Sequence, residues 1–415
     1  MKVKSVILLC LLTMLNFSAF SQDITTETAK LLASDGASGD FFGRSVSISG
    51  DTAIIGAYED GDNGDYSGSA YIFEKVNGIW TQTAKLLASD GAEGDKFGFS
   101  VSISGNNAII GAFSDYDNGS YLGSAYIFEK VGETWTQTAK LLASDGVAED
   151  EFGFSVSISG NTAIIGSERD DDNGDASGSA YIFQKADGTW AQAAKLLASD
   201  GSSYDYFGVS VSISGDTAII GAVGDDDNGN QSGSAYIFEI VDEIWTQTKK
   251  LTAGDGSAID CFGGSVSISG NIAIIGSGYD DDTGSAYVFE KTGETWPQTT
   301  KLLASDRSGG DWFGNSVSID DNTAIVGANW DDDKGDMSGS AYIFEKVNGT
   351  WTQKKKLLAS DGSASDNSGC SVSISGNTAI VGAIYDDDKG SSSGSAYLYI
   401  YEATLPVILS IFSAD

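Results

Sequence analysis

Short runs of alternating apolar and polar residues follow one another along the chain, with turn-forming residues between them. In residues 97–143 the run FGFSVSIS places Val101 and Ile103 on one face and serines on the other, which is the period-two pattern of a strand. NAIIGA follows after a Gly-Asn turn, GSAYIFEK follows an acidic loop, and WTQTAKLLA follows a short turn. Because β-branched and aromatic residues fill these runs, the pattern predicts four consecutive antiparallel strands and no helix.

This four-strand unit occurs seven times. The motif KLLASD or a close variant begins at Lys30, Lys85, Lys140, Lys195, Lys250, Lys301 and Lys356. Successive lysines are 55 residues apart, except for 51 residues between Lys250 and Lys301. A four-stranded repeat of about this length is typical of a β-propeller blade. Blade one begins near Phe42, and blade seven ends near Tyr401 without a fourth strand, whereas TTETAKLLA at residues 25–33 has the sequence of one. We therefore predict an all-β fold: a seven-bladed β-propeller of four-stranded antiparallel blades, closed by the N-terminal strand.

The repeat resembles the FG-GAP repeat of integrin α-subunit propellers and of many secreted bacterial proteins. The resemblance rests on FGFSVSISGNTAIIGS with GSAYIF, and on Phe-Gly pairs in six blades; blade seven has Ser368-Gly369 instead. It implies the propeller fold and a role in adhesion or ligand binding. Each Phe-Gly pair is interpreted as packing, with Phe between blades and Gly allowing close backbone approach. The integrin calcium loop lies between strands one and two, where this chain has only a tight turn, so no integrin metal ligand is carried over.

The net charge narrows the possible partners. The chain has 59 acidic residues, 23 basic residues and no histidine, for a formal charge of -36. Such a chain is repelled by nucleic acid and by anionic membranes. The lack of histidine excludes Ser-His-Asp and Cys-His catalysis and histidine-ligated zinc. Paired carboxylates can hydrolyse glycosides, but here they recur in near-identical loops. We therefore predict a protein that is not an enzyme, with a glycoside-active enzyme as the weaker alternative.

The two ends of the chain predict export. Lys2 and Lys4 precede an apolar run at residues 6–15 and small residues at 19–21, which is the pattern of a signal peptide. We assign residues 1–21 to this signal, 22–403 to the propeller and 404–415 to a C-terminal tail. The tail, LPVILSIFSAD, resembles the stretch that opens the C-terminal region of proteins exported by type IX secretion. We expect a secreted or cell-surface monomer without a transmembrane segment, in which Cys261 and Cys370 stay unpaired.

Strand parity places two sets of loops on one face of the predicted ring. The loops between strands two and three, and those from strand four to the next strand one, carry most of the acidic residues. Calcium takes six to eight oxygen ligands, and extracellular sites bind it at about 10⁻⁴–10⁻³ M. The candidate calcium ligands are Asp170, Asp172, Asn173 and Asp175 in blade three and Asp225, Asp227 and Asn228 in blade four. The alternative is a solvated turn in which Asp and Asn bond their own backbone.

Two further aspartates recur in every loop that leads into strand one: the series from Asp35 to Asp361 and the series from Asp40 to Asp366. They are interpreted as caps of turns. The alternative is metal ligation shared with the neighbouring loop between strands two and three.

A few positions vary within this otherwise strict repeat, and they fall on the acidic face. The candidate ligand-binding residues among them are Tyr58, Phe113, Arg169, Tyr206, Trp312, Trp330 and Tyr385. Exposed aromatic residues can stack on sugars or anchor a protein partner, whereas drift in loops is the alternative. The predicted function is a secreted or cell-surface binding or adhesion module that presents its acidic face to a protein or glycan ligand, with weak calcium binding as its cofactor chemistry. A purely structural surface protein is the alternative.

Overall fold

The computed structural model describes residues 26–117 and 120–401. These residues form seven four-stranded antiparallel sheets, one for each predicted blade. The predicted signal segment, residues 1–21, and the tail, 404–415, lie outside the described residues. Within the described ranges, no helix has the length and apolar character that a membrane crossing requires.

The strands are numbered β1–β30 in chain order, and each blade has four strand positions. The first strands are β2 (Phe42–Ser49), β6 (Ser100–Ser104), β12 (Phe152–Ser159), β16 (Phe207–Ser214), β20 (Ser265–Ser269), β24 (Phe313–Asp320) and β28 (Ser368–Ser375). The second strands are β3 (Thr52–Ala57), β7 (Asn107–Ala112), β13 (Thr162–Ser167), β17 (Thr217–Ala222), β21 (Ile272–Ser277), β25 (Thr323–Ala328) and β29 (Thr378–Ala383). The third strands are β4 (Ser69–Val76), β10 (Ser124–Val131), β14 (Ser179–Ala186), β18 (Ser234–Val241), β22 (Ser285–Glu290), β26 (Ser340–Val347) and β30 (Ser395–Ile400). The fourth strands are β5 (Ile79–Leu86), β11 (Thr134–Leu141), β15 (Thr189–Leu196), β19 (Ile244–Leu251), β23 (Gln298–Leu302), β27 (Thr350–Leu357) and, in blade seven, β1 (Thr26–Leu31).

The N-terminal strand completes blade seven, as the sequence predicted. Strand β1 pairs antiparallel with β30, with Leu31 opposite Ala396. Leu31 is buried in a hydrophobic cluster that also contains Phe42 of blade one and Leu398 of blade seven. The first and last segments of the chain therefore close the ring and cover an otherwise open blade edge.

The core lies between the blades. Each apolar cluster combines strands of two neighbouring blades, as Ile72 of blade one and Phe97 of blade two show. Phe97 is fully buried, and its ring packs edge-on against Tyr126 with the centroids 5.4 Å apart. A Cβ atom on Gly98 would lie 2.2 Å from the carbonyl oxygen of Ser69. The Phe-Gly pair is thus a packing unit, which confirms the sequence interpretation.

The alternating serines of SVSIS hydrogen-bond the inner edges of the blades. The backbone N–H of Ile103, on the innermost strand of blade two, donates to Ser47 Oγ of blade one at 3.1 Å. Ser102 accepts the same bond from Ile158 of blade three, and the pattern recurs around the ring. Edge donors that would otherwise be unpaired near the ring axis are therefore satisfied by the previous blade.

The structure adds three departures from the ideal repeat. The acidic loop of blade two contains a short hairpin, β8 (Tyr116–Asp117) with β9 (Ser120–Tyr121). The loop of blade five forms a 3₁₀ turn at Asp280–Asp282. In blade five strand β23 is short because Pro297, which has no N–H to donate, precedes it.

Cys261 and Cys370 are free thiols, as predicted.

Candidate functional site

A lysine from strand four reaches onto the acidic face in every blade and joins its two loops. In blade three, Lys195 Nζ lies 2.8 Å from a carboxylate oxygen of Asp145, 2.8 Å from Asp170 and 2.7 Å from Asp172. The Tyr181 hydroxyl oxygen also lies within hydrogen-bond distance of both carboxylates, 3.1 Å from Asp145 Oδ1 and 2.9 Å from Asp170 Oδ2. We call this arrangement the lysine clamp; its lysines are Lys30, Lys85, Lys140, Lys195, Lys250, Lys301 and Lys356.

Partial burial strengthens the clamp. The side chain of Asp170 is 5 % exposed and that of Lys195 is 16 % exposed. Burial alone would lower the pKa of Lys195, but its hydrogen bonds to Asp145, Asp170 and Asp172 outweigh this and raise the pKa. Burial would likewise raise the pKa of Asp145, yet the hydrogen bond from Lys195 lowers it. The clamp is therefore a charged hydrogen-bonded group at neutral pH, one ammonium among three carboxylates.

The side chains of the DDDNG loop also bond to backbone groups, both within the loop and in the loop beside it. Asp170 Oδ1 accepts from the N–H of Asp172 at 3.1 Å, and Asp171 Oδ1 accepts from that of Ala176 at 2.7 Å. The Asn173 side-chain amide donates to the Ala198 carbonyl oxygen at 3.3 Å. The two aspartate bonds are the local bonds that make Asp favourable in turns, whereas the Asn173 bond joins the loop to its neighbour.

The structure brings together only some of the predicted calcium ligands. In blade three Asp170 and Asp172 converge on Lys195, whereas the Asn173 side-chain amide binds Ala198 and Asp175 is exposed, beside the Tyr204 hydroxyl at 3.4 Å. In blade four the same occurs: Asp225 and Asp227 each lie 2.7 Å from Lys250 Nζ, and the Asn228 N–H binds Ser232 Oγ.

The clamp carboxylates therefore do not fit a calcium ion while the lysine is in place. The carboxylate oxygens of Asp200, Asp225 and Asp227 lie within 4.8 Å of one another, and Lys250 Nζ is the cation that they share. A calcium ion would need this same point and further oxygen ligands.

The two recurring aspartate series have different roles. Asp40 Oδ2 accepts from the N–H of Ala37 at 2.6 Å and so caps its turn, and its equivalents do the same. Burial raises the pKa of Asp95, Asp150 and Asp205, three members of this series, to about 6. Asp35 instead belongs to a lysine clamp, with Lys85 and Asp60. Carboxylates of the two loops therefore converge on the Lys85 ammonium.

A cavity of about 520 Å³ lies on the ring axis, where the innermost strands meet. Its wall includes the residue that follows each Phe-Gly pair or its Ser-Gly equivalent: Arg44, Phe99, Phe154, Val209, Gly264, Asn315 and Cys370. Apart from Phe99 and Phe154, these side chains differ from blade to blade, although the blades are otherwise near-identical. Sequence reasoning missed this position, although its variability at a fixed place in the repeat was a usable signal. We define the channel mouth as this position, the residue before Phe-Gly and the two residues after Gly-Ala or Gly-Ser.

Blades one to three give the channel mouth an aromatic side. The Tyr58 ring stacks on Phe41 with centroids 5.6 Å apart, and Phe113 lies 4.5 Å from Phe99. Lys96 Nζ lies 5.6 Å from the ring centroids of both Tyr58 and Phe113. The predicted residues Tyr58 and Phe113 are therefore members of a half-buried aromatic cluster, with a cation above it.

The other predicted ligand residues also lie around the mouth. Arg169 is exposed, with Nε 3.2 Å from Glu151 Oε1, and Tyr206 is half-buried beside Tyr204. Trp330 stacks on Trp312 with centroids 3.5 Å apart, and Tyr385 lies edge-on to Phe41 at 5.7 Å. Beside the mouth, Trp330 and Tyr385 line a second cleft of about 430 Å³ between blades six and seven. The seven residues therefore lie around one opening, and Tyr385 connects the cleft to the aromatic side through Phe41.

The backbone at the mouth has a left-handed conformation in every blade. The residue before the Phe-Gly pair, or before Ser-Gly in blade seven, has a positive φ of 53–58°: Phe41, Lys96, Glu151, Tyr206, Cys261, Trp312 and Asn367. This left-handed conformation costs a residue with a Cβ roughly 1–2 kcal/mol, and glycine or asparagine is the usual occupant. Side chains are therefore present where the turn alone would favour glycine, a form of strain that is concentrated at functional sites.

The sequence comparison agrees with the geometry. A family model described as the FG-GAP repeat matches seven consecutive segments: residues 25–73, 80–128, 135–183, 190–238, 245–289, 296–344 and 351–399. Each match begins at or beside a fourth strand and ends in the third strand of the next blade, so together they follow the whole ring. No curated protein matches the chain.

Proposed function

The chain belongs to the FG-GAP repeat family, and we propose that it is an extracellular, non-enzymatic binding module. Its ligand, a protein or a glycan, docks on the acidic face at the channel mouth. One observation carries this proposal: side chains vary between blades at the channel mouth, while the packing positions behind it repeat almost unchanged. Variable side chains on a rigid repeated scaffold are the arrangement by which binding loops recognise ligands.

The clamps support the proposal because they hold the loops that frame the mouth. Lys85 joins Asp35 of one loop to Asp60 and Asp62 of the next. The backbone of the following loop then pairs with it, as Lys96 N–H donates to the Tyr66 carbonyl at 3.0 Å. Loops fixed in this way lose little conformational entropy when a ligand binds.

Calcium has a limited place in this proposal. The clamp carboxylates already hold ammonium groups, so added calcium meets only outer carboxylates such as Asp171 and Asp175, both of which are exposed. We expect weak binding there, with Ca²⁺ and Mg²⁺ giving similar effects, because exposed carboxylates impose no coordination geometry.

The location follows from the same proposal. FG-GAP repeats are typical of extracellular proteins, and the segment predicted to be a signal peptide would deliver the chain there. The resemblance of the C-terminal tail to chains exported by type IX secretion likewise predicts export.

The experiment is a binding screen with the labelled propeller, residues 22–403, against an array of immobilised glycans and extracellular-matrix proteins. We expect saturable binding to at least one class of probe. A screen in which the propeller binds neither class, in low salt and in physiological salt, would favour the purely structural alternative.

A further inference from the structure

We propose that the cleft between blades six and seven is a binding site for a neutral saccharide. This inference rests on the proposed function and names the ligand class and the place on the acidic face. The cleft has a volume of about 430 Å³ and includes Trp330, Tyr385, Asn367 and several serines in its wall. Ligand sites of this size combine apolar or aromatic walls with a few polar groups that fix orientation.

The two aromatic rings of the cleft are held in position by other rings. The Trp330 ring stacks on Trp312, with the ring centroids 3.5 Å apart and an interplanar angle of 17°. Trp312 therefore covers one face of the Trp330 indole, and any further contact must be made by the rest of the ring. Tyr385 packs edge-on against Phe41 and remains 42 % exposed. An aromatic ring fixed in this way provides a flat apolar surface at little entropic cost, which suits the C–H face of a pyranose ring.

An unpartnered buried acceptor lies on the axial cavity, one hydrogen bond away from this cleft. Asn329 is 7 % exposed, and its side-chain oxygen Oδ1 has no hydrogen-bond partner within the described residues. Its Nδ2 donates to Asn367 Oδ1 at 3.3 Å, and Asn367 Nδ2 in turn donates to the Ser365 carbonyl oxygen at 3.2 Å. Asn329 lines the axial cavity and Asn367 lines both the cavity and the cleft. A buried acceptor without a donor is costly, and a ligand hydroxyl group that extends from the cleft past Asn367 into the axial cavity would satisfy it.

The chemistry of the walls favours a neutral sugar over a charged ligand. Ser391 and Ser392 add hydroxyl groups to the lining, and Asp387 is its one acidic residue. Asp387 Oδ1 already accepts from the Ser392 N–H at 2.8 Å, so this carboxylate is partly used. An anionic sugar would be repelled by the acidic face, whereas a neutral sugar can use the serine hydroxyl groups, the Asn367 amide and the aromatic rings of the wall.

The cleft occurs where the repeat pattern breaks. In the other blades the position of Asn367 carries Phe41, Lys96, Glu151, Tyr206, Cys261 or Trp312. Blade seven also replaces the packing phenylalanine with Ser368, which is buried. The smaller residues of blade seven leave the space, and the aromatic residues at its sides come from the two neighbouring loops.

The test measures saturation-transfer NMR of four methyl glycosides with the whole propeller: α-D-mannoside, β-D-galactoside, β-D-glucoside and α-L-fucoside. N-acetylneuraminic acid is the anionic comparison. We expect at least one neutral glycoside to bind in the millimolar range and N-acetylneuraminic acid to bind at least tenfold more weakly. Trp330→Ala should reduce the affinity at least tenfold, whereas Tyr66→Ala, which removes an exposed ring from the acidic loop of blade one, should not change it.

Asn329→Leu separates a binding role from a structural one. The leucine removes the unpartnered acceptor Asn329 Oδ1 but also the donor to Asn367 Oδ1, so the two effects oppose each other and the melting temperature should change little. Glycoside affinity should nevertheless fall at least threefold. An affinity that is unchanged in both Trp330→Ala and Asn329→Leu would place sugar binding elsewhere on the propeller and overturn this inference.

Two further outcomes distinguish this inference from the proposed function. If no glycoside binds at about 50 mM but an array protein binds and is lost with Trp330→Ala, the cleft is a protein site and the saccharide inference is wrong. If neither glycosides nor any array probe binds, both the inference and the proposed function fail.

Discussion

Replacing the clamp lysine Lys250 with methionine tests whether an ammonium holds the acidic loops together. Methionine keeps an apolar chain beside the Tyr236 ring, over which Lys250 Nζ lies at 5.3 Å, and removes only the charge and its hydrogen bonds. The variant leaves the three carboxylates of Asp200, Asp225 and Asp227 facing one another without their shared cation.

The size of the effect follows from exposure. The side chains of Asp200 and Asp227 are 46 % and 57 % exposed, so water screens much of their repulsion, whereas Asp225 is 5 % exposed. One buried carboxylate without its partner costs about 3–5 kcal/mol, and we take the lower end because Asp225 also accepts from Tyr236. With an unfolding entropy of about 2.1 cal/mol/K per residue over the propeller, a loss of about 3 kcal/mol lowers Tm by about 4 °C.

The pH dependence of this loss has a definite sign. In the native clamp burial would raise the pKa of Asp225, but the hydrogen bond from Lys250 lowers it. A lowered pKa contributes stability above the unfolded value of about 3.9, and that contribution is lost as the pH falls through the folded pKa. The variant lacks this contribution. Its Tm deficit should therefore be full at pH 7 and close as the pH falls below about 4.

Calcium should partly rescue the variant. Three free carboxylates within 4.8 Å make a weak calcium site. With a dissociation constant of about 10⁻⁴–10⁻³ M, 10 mM CaCl₂ returns roughly 1.4–2.7 kcal/mol, which raises Tm by about 2–3 °C. NaCl of equal ionic strength should return less. Lys301→Met is the matched control, because its third carboxylate, Asp281, lies 3.9 Å from the lysine and is 85 % exposed; its calcium rescue should be smaller.

Scanning calorimetry of both variants and the parent, with and without calcium, gives these values. Equal Tm values for Lys250→Met and the parent between pH 5 and 8 would refute the clamp. A calcium-specific rise of several degrees in the parent would show that calcium displaces the lysine, which the geometry argues against.

Three other predictions test the ring, the buried acids and the strained backbone. A chain that begins at Ser34 lacks β1 and the buried Leu31, so it should aggregate or melt far below a chain that begins at Thr26; equal melting would contradict closure. Burial raises the pKa of Asp150 to about 6, above its unfolded value of about 3.9. Because the native protein then binds a proton at a higher pH than the unfolded chain does, Tm should rise as the pH falls from 8 to about 5. Asp150→Asn should flatten this rise, and an unchanged profile of Tm against pH would show that Asp150 does not contribute to it. Cys261→Asn should stabilise the protein by a few tenths to about 1 kcal/mol in urea unfolding, because asparagine tolerates the φ of 53° better; a loss of stability would show that the thiol's packing matters more.

The fold could be predicted from the sequence because the repeat is nearly exact. Period-two alternation identified the strands, and the missing fourth strand of blade seven matched TTETAKLLA, which forms β1. The 3₁₀ turn at Asp280–Asp282 and the extra hairpin in blade two were not predictable by the same means. Both lie in acidic loops, where a few residues change between blades and no hydrophobic period constrains the backbone.

The sequence alone did not reveal that a lysine of strand four pairs with the acidic residues of the loops. Lys195 lies 25 positions after Asp170 and 50 after Asp145, so no local spacing connects them. Its recurrence at the start of every KLLASD motif was visible, and the propeller geometry then turns it toward the loops. The cavity residues were missed for a related reason: Phe99 and Phe154 follow the Phe-Gly motif directly and resemble ordinary strand residues until the ring places them at the axis.

The central claim is that ligands dock on the acidic face at the channel mouth, and a comparison of the two faces tests it most directly. One double variant, Tyr58→Ser with Trp330→Ser, alters two sides of the mouth; the other, Ile79→Ser with Ile244→Ser, removes two exposed apolar residues from the opposite face, where they are 70 % and 66 % exposed. Both are titrated against the best probe of the binding screen, after matched circular dichroism shows that they are folded. The account predicts at least a tenfold loss of affinity for the mouth variant and no change for the other. Loss of binding only in the Ile79 and Ile244 variant would place the ligand on the opposite face and contradict the account.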